Sequence, residues 1–481
     1  MYLRQYYLGC LAHASYLIAD EKTKTAAVVD PQRDIQQYLD DARAGGYQIK
    51  YVFLTHFHAD FLAGHIELRN QAGARICMGE RGNAEFEHTA LKDGDVIEFG
   101  DVKIQNMETP GHTPEGISLL VFDKANSATI PHAVLTGDTL FIGDVGRPDL
   151  LASIGVTADE LAAMLYDSLD KLRRLPDTTL VYPAHGAGSL CGKSLSKETV
   201  STIGEQKKFN YALQPMPFEQ FRSLVTADQP EAPGYFVYDA IKNRQERADL
   251  ESTLQTSLRA LSLDEVVRLR DSGAQILDVR EAIDFEGASM KGALNIGLKG
   301  KYATWAGTLL SHDAPIVVIG DDNEEEAVMR LGRIGFDNVA GYLKDGMEAL
   351  NARPDLLQTV SRITAAALAE QIEQQKAPFI LDVRSEKEHG IVHLGRGHNV
   401  PLTHLRERLA EVPSDRPVVV HCEGGYRSAI ACSILAQAGR TNVSDMVGGI
   451  KAWIASKLPT TPENTMTCGT KICETAASKN N

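Results

Sequence analysis

The residues best suited to chemistry form a histidine- and aspartate-rich segment near the N-terminus of the chain. This segment, residues 55–65, has the sequence THFHADFLAGH and directly follows the apolar stretch YVFL at residues 51–54. The apolar stretch predicts a buried strand, and side chains alternate along extended backbone, so His56 and His58 point the same way at its end. Asp60 follows closely. Imidazole and carboxylate groups gathered in this manner suit a first-row transition metal.

Three more candidate metal ligands occur downstream, each in a predicted turn or after a predicted strand. They are His112 in the segment PGHTP, Asp138 in LTGD and His185 in VYPAHG. A lone histidine is more often a structural residue with satisfied hydrogen bonds than a ligand. An ordered set of this size in one stretch of chain is far more specific than a short motif alone, and it predicts a metal site.

These motifs resemble the metallo-β-lactamase superfamily over residues 1–209. The resemblance implies an αββα sandwich, in which two β-sheets pack between helices and the metal lies at the sheet edge. Hydrolases of this superfamily, such as hydroxyacylglutathione hydrolase, usually hold two metals, and a histidine directly after the motif aspartate binds the second. Phe61 occupies that position here, which disfavours a second metal.

The sequence is more similar to the persulfide dioxygenases, which share the PGHTP-like and TGD segments and a following Gly-Arg turn, here Gly146 and Arg147. This resemblance assigns three residues to a single Fe(II): His56, His112 and Asp138. It leaves three residues to orient the ligands or bound water, or to act as alternative ligands: His58, Asp60 and His185. Arg147 is expected on the substrate side of the site. Persulfide dioxygenases that use glutathione keep a histidine in place of Phe61, so Phe61 favours one metal without identifying iron.

An iron held by this ligand set predicts oxygen chemistry. Two imidazoles and one carboxylate on one face of an octahedral ion leave neighbouring positions open. A persulfide anion and dioxygen are expected to bind there side by side, so that the terminal sulfur is oxidised to sulfite and a thiol is released. The competing interpretation is a zinc-dependent thioesterase or glyoxalase-type hydrolase, in which a metal-bound hydroxide attacks a thioester.

Cys191 is a further functional candidate, because it closely follows His185 in the segment HGAGSLCGK. The flanking glycines predict a mobile or closely packed loop near the metal. The segment resembles fused dioxygenase–sulfurtransferases, and Cys191 could accept a persulfide from a small thiol and present it to the iron. The alternative, a semi-buried thiol without chemistry, stays open.

A second constellation, CEGGYRS at residues 422–428, lies between the apolar stretch VVVH and a helical pattern. A cysteine at such a strand-to-helix turn faces backbone N–H groups and the positive end of a helix dipole, which favour a thiolate or a persulfide. Cys422 is therefore the predicted sulfur carrier, and Arg427 supplies charge for an anionic donor or acceptor. The rest of the loop forms the predicted persulfide cradle: Glu423, Gly424, Gly425, Tyr426 and Ser428.

This loop and its flanking segments resemble the rhodanese family from about residue 363 to residue 458. An internal repeat extends the resemblance, since ILDVR at residues 276–280 recurs at residues 380–384. In the first copy the stretch IVVIG is followed by DDNEEE, a loop with neither cysteine nor arginine. An acidic loop repels a sulfur anion, so the first copy is predicted to be a rhodanese-like module without transferase activity, with a role in spacing, docking or oligomer contact.

A chain of 481 residues is long enough for roughly three domains. The predicted organisation is a metallo-β-lactamase-fold domain with a C-terminal elaboration, a rhodanese-like domain without the cysteine, a rhodanese domain and a flexible tail: residues 1–245, 258–352, 362–460 and 461–481. Both rhodanese-like domains are predicted to be α/β with parallel sheets, which makes the whole chain a multidomain protein of α/β and α+β class. Capping boxes at Thr157 and Ser262 predict helix starts.

Composition points to an intracellular enzyme. Seven cysteines, an odd number without framework spacing, suit a reducing compartment, and a cytoplasmic location is expected. We find no apolar run of about 20 residues and no secretory signal, so no membrane partner is expected. The net charge of −15 disfavours nucleic acid as a partner. A homo-oligomer is expected, because relatives in the superfamily often pair.

Together these features predict a persulfide dioxygenase coupled to a sulfurtransferase. The iron domain would oxidise a low-molecular-weight thiol persulfide with O2 to sulfite, and sulfite would take sulfur from a Cys422 persulfide to form thiosulfate. The reverse flow, in which thiosulfate supplies the persulfide, is equally compatible with the sequence. Besides the zinc hydrolase fused to sulfur-carrier modules, a non-catalytic sulfide sensor with Cys422 as a redox switch stays open.

Overall fold

The structure of the chain is a computed structural model, and it describes residues 1–150, 155–227, 229 and 231–462. Most of the predicted tail, from residue 463 onward, lies outside the described residues. The described chain divides into two compact units. Among the described residues, the first unit contains residues 1–275 and 301–346, and the second contains residues 276–300 and 347–462.

The first sheet of the N-terminal unit has six strands that neighbour one another in chain order. The first three strands pair antiparallel, and the last four are parallel to one another. Strands are numbered along the chain: β1 (Tyr2–Leu8), β2 (His13–Ala19), β3 (Thr25–Val29), β4 (Gln48–Phe53), β5 (Arg75–Gly79) and β6 (Thr89–Leu91).

The second sheet also has six strands, in the order β12-β11-β10-β9-β8-β7. All its neighbours pair antiparallel except β10 and β11, which are parallel. Its strands are β7 (Val96–Phe99), β8 (Val102–Glu108), β9 (Ile117–Asp123), β10 (Ala133–Gly137), β11 (Leu180–Pro183) and β12 (Ser201–Thr202).

The two sheets pack face to face around one hydrophobic core. Buried residues of the first sheet, such as Tyr16 and Phe53, cluster with Leu119 and Leu135 of the second. Apolar side chains on the opposite face of the second sheet pack against helices. The first of these helices begins at the predicted capping box, Thr157. Helices of this unit before the rhodanese-like part are α1 (Gln36–Gly45), α2 (His65–Ala72), α3 (Ala158–Arg173), α4 (Ile203–Phe209), α5 (Phe218–Thr226), α6 (Tyr235–Lys242) and α7 (Leu250–Ser257). The predicted αββα sandwich is confirmed.

The first rhodanese-like segment follows these helices and contributes to both compact units. In the first unit, β13 and β17 each pair with β18 in parallel, and the predicted capping box at Ser262 starts α8. The elements in this unit are β13 (Ala260–Leu261), α8 (Leu263–Asp271), α10 (Tyr302–Leu309), β17 (Ile316–Ile319), α11 (Glu324–Arg333) and β18 (Val339–Leu343). The elements of the second unit are β14 (Gln275–Asp278), whose first residue belongs to the first unit, α9 (Ala282–Gly287), β15 (Ser289–Met290), β16 (Leu294–Asn295) and β19 (Leu357–Gln358).

The second rhodanese-like segment is built on a five-stranded parallel sheet in the order β20-β24-β23-β21-β22. The loop that carries Cys422 follows β23, the central strand. Apolar residues such as Leu368 and Trp453 pack from the helices against Ile380 of the sheet. The elements are β20 (Ser361–Ile363), α12 (Ala365–Glu373), β21 (Phe379–Asp382), α13 (Glu386–Ile391), β22 (Gly397–Asn399), β23 (Val418–His421), α14 (Tyr426–Gln437), β24 (Val443–Met446) and α15 (Gly449–Ala455).

The repeated ILDVR motif has the same structural role in both copies. Buried Asp278 accepts hydrogen bonds from the guanidinium of Arg280, and buried Asp382 accepts them from Arg384. A buried carboxylate and a buried guanidinium must pair in this way, because either charge alone is costly to bury. The motif therefore forms a structural ion pair at the end of β14 and at the end of β21. None of the described helices is long and apolar enough to cross a membrane.

Candidate metal centre and sulfur-transfer loop

The three predicted iron ligands meet at one edge of the sandwich. His56 follows β4, His112 lies in the turn between β8 and β9, and Asp138 directly follows β10. One ligand atom from each lies within 4.8 Å of the others. Asp138 Oδ2 is 3.7 Å from His56 Nε2 and 3.4 Å from His112 Nε2. All three side chains are buried, so little of the centre is exposed to solvent.

Hydrogen bonds fix the orientation of both imidazoles. Thr55 donates its hydroxyl to Asp30 Oδ2, and its oxygen is left to accept from His56 Nδ1 at 2.9 Å. The backbone oxygen of Arg147 accepts from His112 Nδ1 at 2.8 Å. Because Nδ1 carries the proton in each ring, Nε2 has the free lone pair, and Nε2 faces Asp138. The donor set therefore fits one metal ion with two imidazole ligands and one carboxylate ligand.

A second buried cluster lies beside the first, and it consists of Asp60, His185 and Cys191. His185 Nε2 lies 3.0 Å from Asp60 Oδ2, while its Nδ1 lies 2.9 Å from Asp138 Oδ1. Burial opposes a charged imidazole, but Asp138 and Asp60 raise the pKa of His185 well above its usual value. Burial, followed by the charges of Asp60 and Asp138, raises the pKa of the Cys191 thiol to about 12. The predicted proximity of Cys191 to the centre is thus seen in the structure.

His58 belongs to neither cluster. Its Nε2 lies 3.2 Å from Oδ1 of Asp30, the same carboxylate that holds Thr55. Its ring centroid lies 4.2 Å from that of His56 and 4.5 Å from that of Phe61. His58 therefore packs behind the ligand His56, a position that suits an orienting residue.

The loop that carries Cys422 wraps around the sulfur atom. The backbone N–H of Gly425 donates to Cys422 Sγ at 3.1 Å, and the Ser428 hydroxyl lies 3.5 Å from the same atom. Gly425 has a φ of +116°, a conformation that favours glycine, and α14 begins at the next residue. A Cβ on Gly449 would lie 2.5 Å from the Cys422 carbonyl oxygen, so that glycine lets a second segment close on the loop. The sulfur lies at a helix N-terminus, as predicted.

The other residues of the predicted cradle have specific partners. Arg427 forms two hydrogen bonds of 2.7 Å with the carboxylate of Glu388. Burial works against that charge, but these bonds lower the pKa of Glu388 to about 2. Glu423 pairs with Lys451, and the Tyr426 hydroxyl donates to a backbone oxygen. Arg427 is thus held beside the loop by Glu388, and its role toward an anion stays a prediction.

The chain is similar to known proteins both in family profile and in individual sequences. The profile of the metallo-beta-lactamase superfamily matches residues 8–185, and that of the rhodanese-like domain matches residues 262–353 and 364–456. The mitochondrial persulfide dioxygenase ETHE1 from Bos taurus is 30% identical over 215 residues, which cover 43% of this chain and 74% of that protein. The chain belongs to the metallo-beta-lactamase superfamily.

Two further proteins similar to this chain bear on its site. Hydroxyacylglutathione hydrolase from Polaromonas sp. is 30% identical over 225 residues, covering 42% of this chain and 80% of that protein. The crystal structure of a metallo-beta-lactamase from Staphylococcus aureus subsp. aureus COL is 31% identical, with a TM-score of 0.64, and covers 71% of this chain and 98% of that one. The predicted fusion of a metallo-beta-lactamase domain with two rhodanese-like domains is confirmed. The choice between dioxygenase and hydrolase chemistry rests on the site.

His13 is a residue of the metallo-beta-lactamase centre that sequence reasoning missed. Its ring is buried, and its centroid lies 4.1 Å from Phe61 and 5.6 Å from His185. Burial, followed by the charges of His58 and His185, lowers the pKa of His13 well below its usual value, so the ring is neutral. Neither ring nitrogen has a hydrogen-bond partner among the described residues. No motif surrounds His13, and only the bridge between its backbone and that of His185 brings it here.

Arg147 lies close to the metallo-beta-lactamase centre, but its side chain is occupied. Its guanidinium forms two bonds of 2.7 Å with Asp149 and a 3.3 Å bond with the Leu190 carbonyl oxygen. Its backbone N–H donates to the Cys191 carbonyl oxygen at 2.9 Å. Arg147 therefore ties the loop of Cys191 to the turn that orients His112. Its predicted place on the substrate side stays a prediction.

Proposed function

We propose that the chain is an Fe(II)-dependent persulfide dioxygenase coupled to a thiosulfate sulfurtransferase. The observation that carries this proposal is the buried set of His56, His112 and Asp138, with both Nε2 atoms oriented toward the carboxylate. Two imidazoles and one carboxylate form the facial set of non-haem iron oxygenases, which leaves positions free for small molecules. When bound there, Fe(II) would supply the activation of dioxygen beside the persulfide sulfur.

The residues around this set have supporting roles. Phe61 and His13 form a buried, neutral wall that excludes water from one side of the centre. His185 holds a proton between Asp138 and Asp60, and it can give that proton to a sulfur or oxygen anion that develops beside it. Because Phe61 replaces a possible ligand, the second cluster is free to use Cys191 for substrate handling.

Cys191 is proposed to receive sulfur from a low-molecular-weight thiol persulfide. In that exchange its sulfur bonds to the terminal sulfur of the carrier, the carrier S–S bond breaks, and the carrier leaves as a thiol with the proton of Cys191. The high pKa of the Cys191 thiol requires a base for this step, and Asp60 is the adjacent carboxylate in the cluster. A thiol without chemistry is the alternative role.

Cys422 is proposed to carry sulfur between a persulfide and sulfite. Its thiolate is favoured by the Gly425 N–H and the N-terminus of α14. Attack on the outer sulfur of a persulfide gives the Cys422 persulfide and a carrier thiol. Sulfite then removes that outer sulfur as thiosulfate and restores the Cys422 thiolate. The same steps in reverse consume thiosulfate.

The proposal is tested by following oxygen and sulfur products together. Purified protein with a thiol persulfide is expected to consume O2 and form sulfite, and His112→Ala is expected to lose this activity because one of three ligands is removed. His132→Ala is the matched control, since His132 is exposed and lies outside the centre. Absence of persulfide-dependent O2 uptake by the unmutated protein, in the presence of added Fe(II), would contradict the proposal.

The alternative function is zinc-dependent thioester hydrolysis. Two observations favour it: the hydroxyacylglutathione hydrolase relative at 30% identity, and the second cluster of Asp60, His185 and Cys191, which offers donors for another ion. Thioester hydrolysis by zinc-loaded protein, at a rate that removal of the metal abolishes, would support this alternative. A zinc-loaded protein that leaves thioesters intact excludes it.

A further inference from the structure

Two buried carboxyl groups lie near Cys422 and have no part in the function proposed so far. Glu286 is on α9, in the module without a catalytic cysteine, and Asp445 is on β24 of the catalytic module. Both line a cavity of about 530 Å³, together with the Gly424–Tyr426 part of the loop and Arg362. This volume is within the range of about 300–1,000 Å³ that is usual for small-molecule sites. The cavity therefore has room for an organic thiol persulfide.

The two carboxyl groups are deeply buried, and the positive charge beside them is too small to balance two carboxylates. Glu286 is 2% exposed and Asp445 is 3% exposed. Arg362 Nε lies 3.0 Å from Glu286 Oε2, while Glu286 Oε1 and Asp445 Oδ1 have no donor partner among the described residues. One guanidinium cannot neutralise two buried carboxylates, so the pair retains a proton. In agreement, burial and then the charge of Asp445 raise the pKa of Glu286, and burial raises the pKa of Asp445.

A single hydroxyl group connects this pair to the reactive sulfur. The side chains of Ser428 and Glu286 both lie close enough to Asp445 to influence its pKa, after the larger effect of burial. The Ser428 hydroxyl oxygen lies 3.5 Å from Cys422 Sγ and is itself a donor to Gly425 O. The retained proton is therefore held on the wall of the cavity, and the Ser428 hydroxyl lies between the acid pair and the sulfur that exchanges.

We propose that Glu286 and Asp445 form a shared-proton acid pair for sulfur exchange at Cys422. The substrate class is an organic thiol persulfide that occupies the cavity. The module without a cysteine thus supplies a catalytic group to the module that has one. The inference rests on the proposed sulfur transfer by Cys422.

The proton balance of this exchange closes over one cycle. The Cys422 thiolate attacks the outer sulfur of the carrier persulfide, RS–SH, so that a Sγ–S bond forms and the carrier S–S bond breaks with its electron pair on RS⁻. The acid pair protonates RS⁻ to the thiol RSH. Sulfite then attacks the outer sulfur of Cys422–S–SH, the Sγ–S bond breaks, and thiosulfate and the Cys422 thiolate form. The proton of the outer sulfur returns to the acid pair.

Other charged and titratable groups around the acid pair must be counted in a pH experiment. Arg362 faces Glu286 directly, and Lys299 pairs with Glu281 at 3.5 Å on the rim of the cavity. Cys432 is buried behind Asp445, and burial followed by the charge of Asp445 raises the pKa of its thiol well above the usual value. None of these groups holds a proton that is both exchangeable and adjacent to Cys422, so Glu286 and Asp445 are expected to dominate the profile.

The test is the pH dependence of Cys422 persulfide formation in full-length protein, measured by rapid quench and mass spectrometry with glutathione persulfide as the probe. Unmutated protein is expected to slow at alkaline pH, where the acid pair loses its proton. Glu286→Gln is expected to reduce the rate at neutral pH by about 10–100-fold. This effect is small for acid–base catalysis, because a thiolate is a good leaving group and needs little help from an acid. The alkaline decline is expected to disappear in this variant.

Matched variants distinguish the outcomes. Glu373→Gln makes the same change at an exposed position of α12 and is expected to keep the rate and profile of the unmutated protein. Asp445→Asn provides an independent test if Glu286→Gln does not fold. An unchanged rate in both acid-pair variants, or a reduced rate with an unaltered pH profile, would overturn the inference while transfer by Cys422 stands. No Cys422 persulfide in the unmutated protein would overturn the proposed sulfur transfer itself.

Discussion

Replacing Phe61 by histidine would test why this chain is expected to hold one metal. The Phe61 side chain is fully buried, and its ring centroid lies 4.1 Å from that of His13 and 4.5 Å from that of His58. The change introduces a potential ligand directly after Asp60, in the position where two-metal members of the superfamily are expected to have one. We predict that Phe61→His binds a second divalent ion together with the Asp60, His185 and Cys191 cluster.

The burial of Phe61 determines how much unfolding free energy this change is expected to remove. Complete truncation of a buried phenylalanine costs about 3–5 kcal/mol, but histidine retains much of the volume. An imidazole without a hydrogen-bond partner adds about 1–3 kcal/mol. We therefore expect the metal-free variant to lose about 2–4 kcal/mol in free energy of unfolding. A second ion at 100 times its Kd would return about 2.7 kcal/mol.

The assay is thermal unfolding of apo and metal-saturated protein, combined with metal content per chain. Phe61→His is expected to unfold at a lower temperature when metal-free and to recover most of the difference with excess metal. Phe61→Leu is the control, because it keeps an apolar side chain and adds no ligand. The explanation would be refuted if Phe61→His binds no additional ion, or if Phe61→Leu shows the same metal-dependent recovery.

Three further predictions concern single residues. Cys422→Ser is expected to abolish thiosulfate formation and let sulfite accumulate, measured by ion chromatography, while O2 uptake continues; an unchanged product mixture would contradict the role of Cys422. Cys191→Ser is expected to lower persulfide-dependent O2 uptake at least tenfold without loss of bound metal, and full uptake would exclude the sulfur relay. Asp382→Asn leaves the Arg384 guanidinium buried without its carboxylate and is expected to cost about 3–5 kcal/mol of unfolding free energy in urea titration. Burial disfavours the charge, but Arg384 lowers the pKa of Asp382 to about 2, so its stabilisation is present above pH ~4 and is lost as the pH falls toward 2.

Helix starts and the repeated module were accessible from the sequence because their signals are local or periodic, whereas the αββα sandwich was implied by the resemblance to the metallo-β-lactamase superfamily. The capping boxes at Thr157 and Ser262 start α3 and α8, and the ILDVR repeat reveals two copies of one module. The six candidate ligands were also recognisable, since each lies in a turn or near a strand end, and the resemblance to persulfide dioxygenases selected His56, His112 and Asp138 among them. These residues can be identified as candidate ligands without knowledge of the tertiary structure.

The remaining features depend on contacts between distant parts of the chain. His13 reaches the centre because the start of β2 pairs with His185, two residues after the end of β11. Glu286 meets Arg362 through the packing of one module on another, and no spacing rule connects them. For Arg427 the sequence predicts the charge but not the partner, since Glu388 comes from a separate helix. Side-chain pairing of this kind follows from tertiary structure and has no local signature.

The most direct test of the central claim is the metal content of protein purified without oxygen. One iron per chain, held by His56, His112 and Asp138, predicts a ratio of one iron to one chain by mass spectrometry of the metals, and loss of that iron in Asp138→Ala. Two ions per chain, or one zinc per chain that iron does not replace, would contradict a single-iron persulfide dioxygenase.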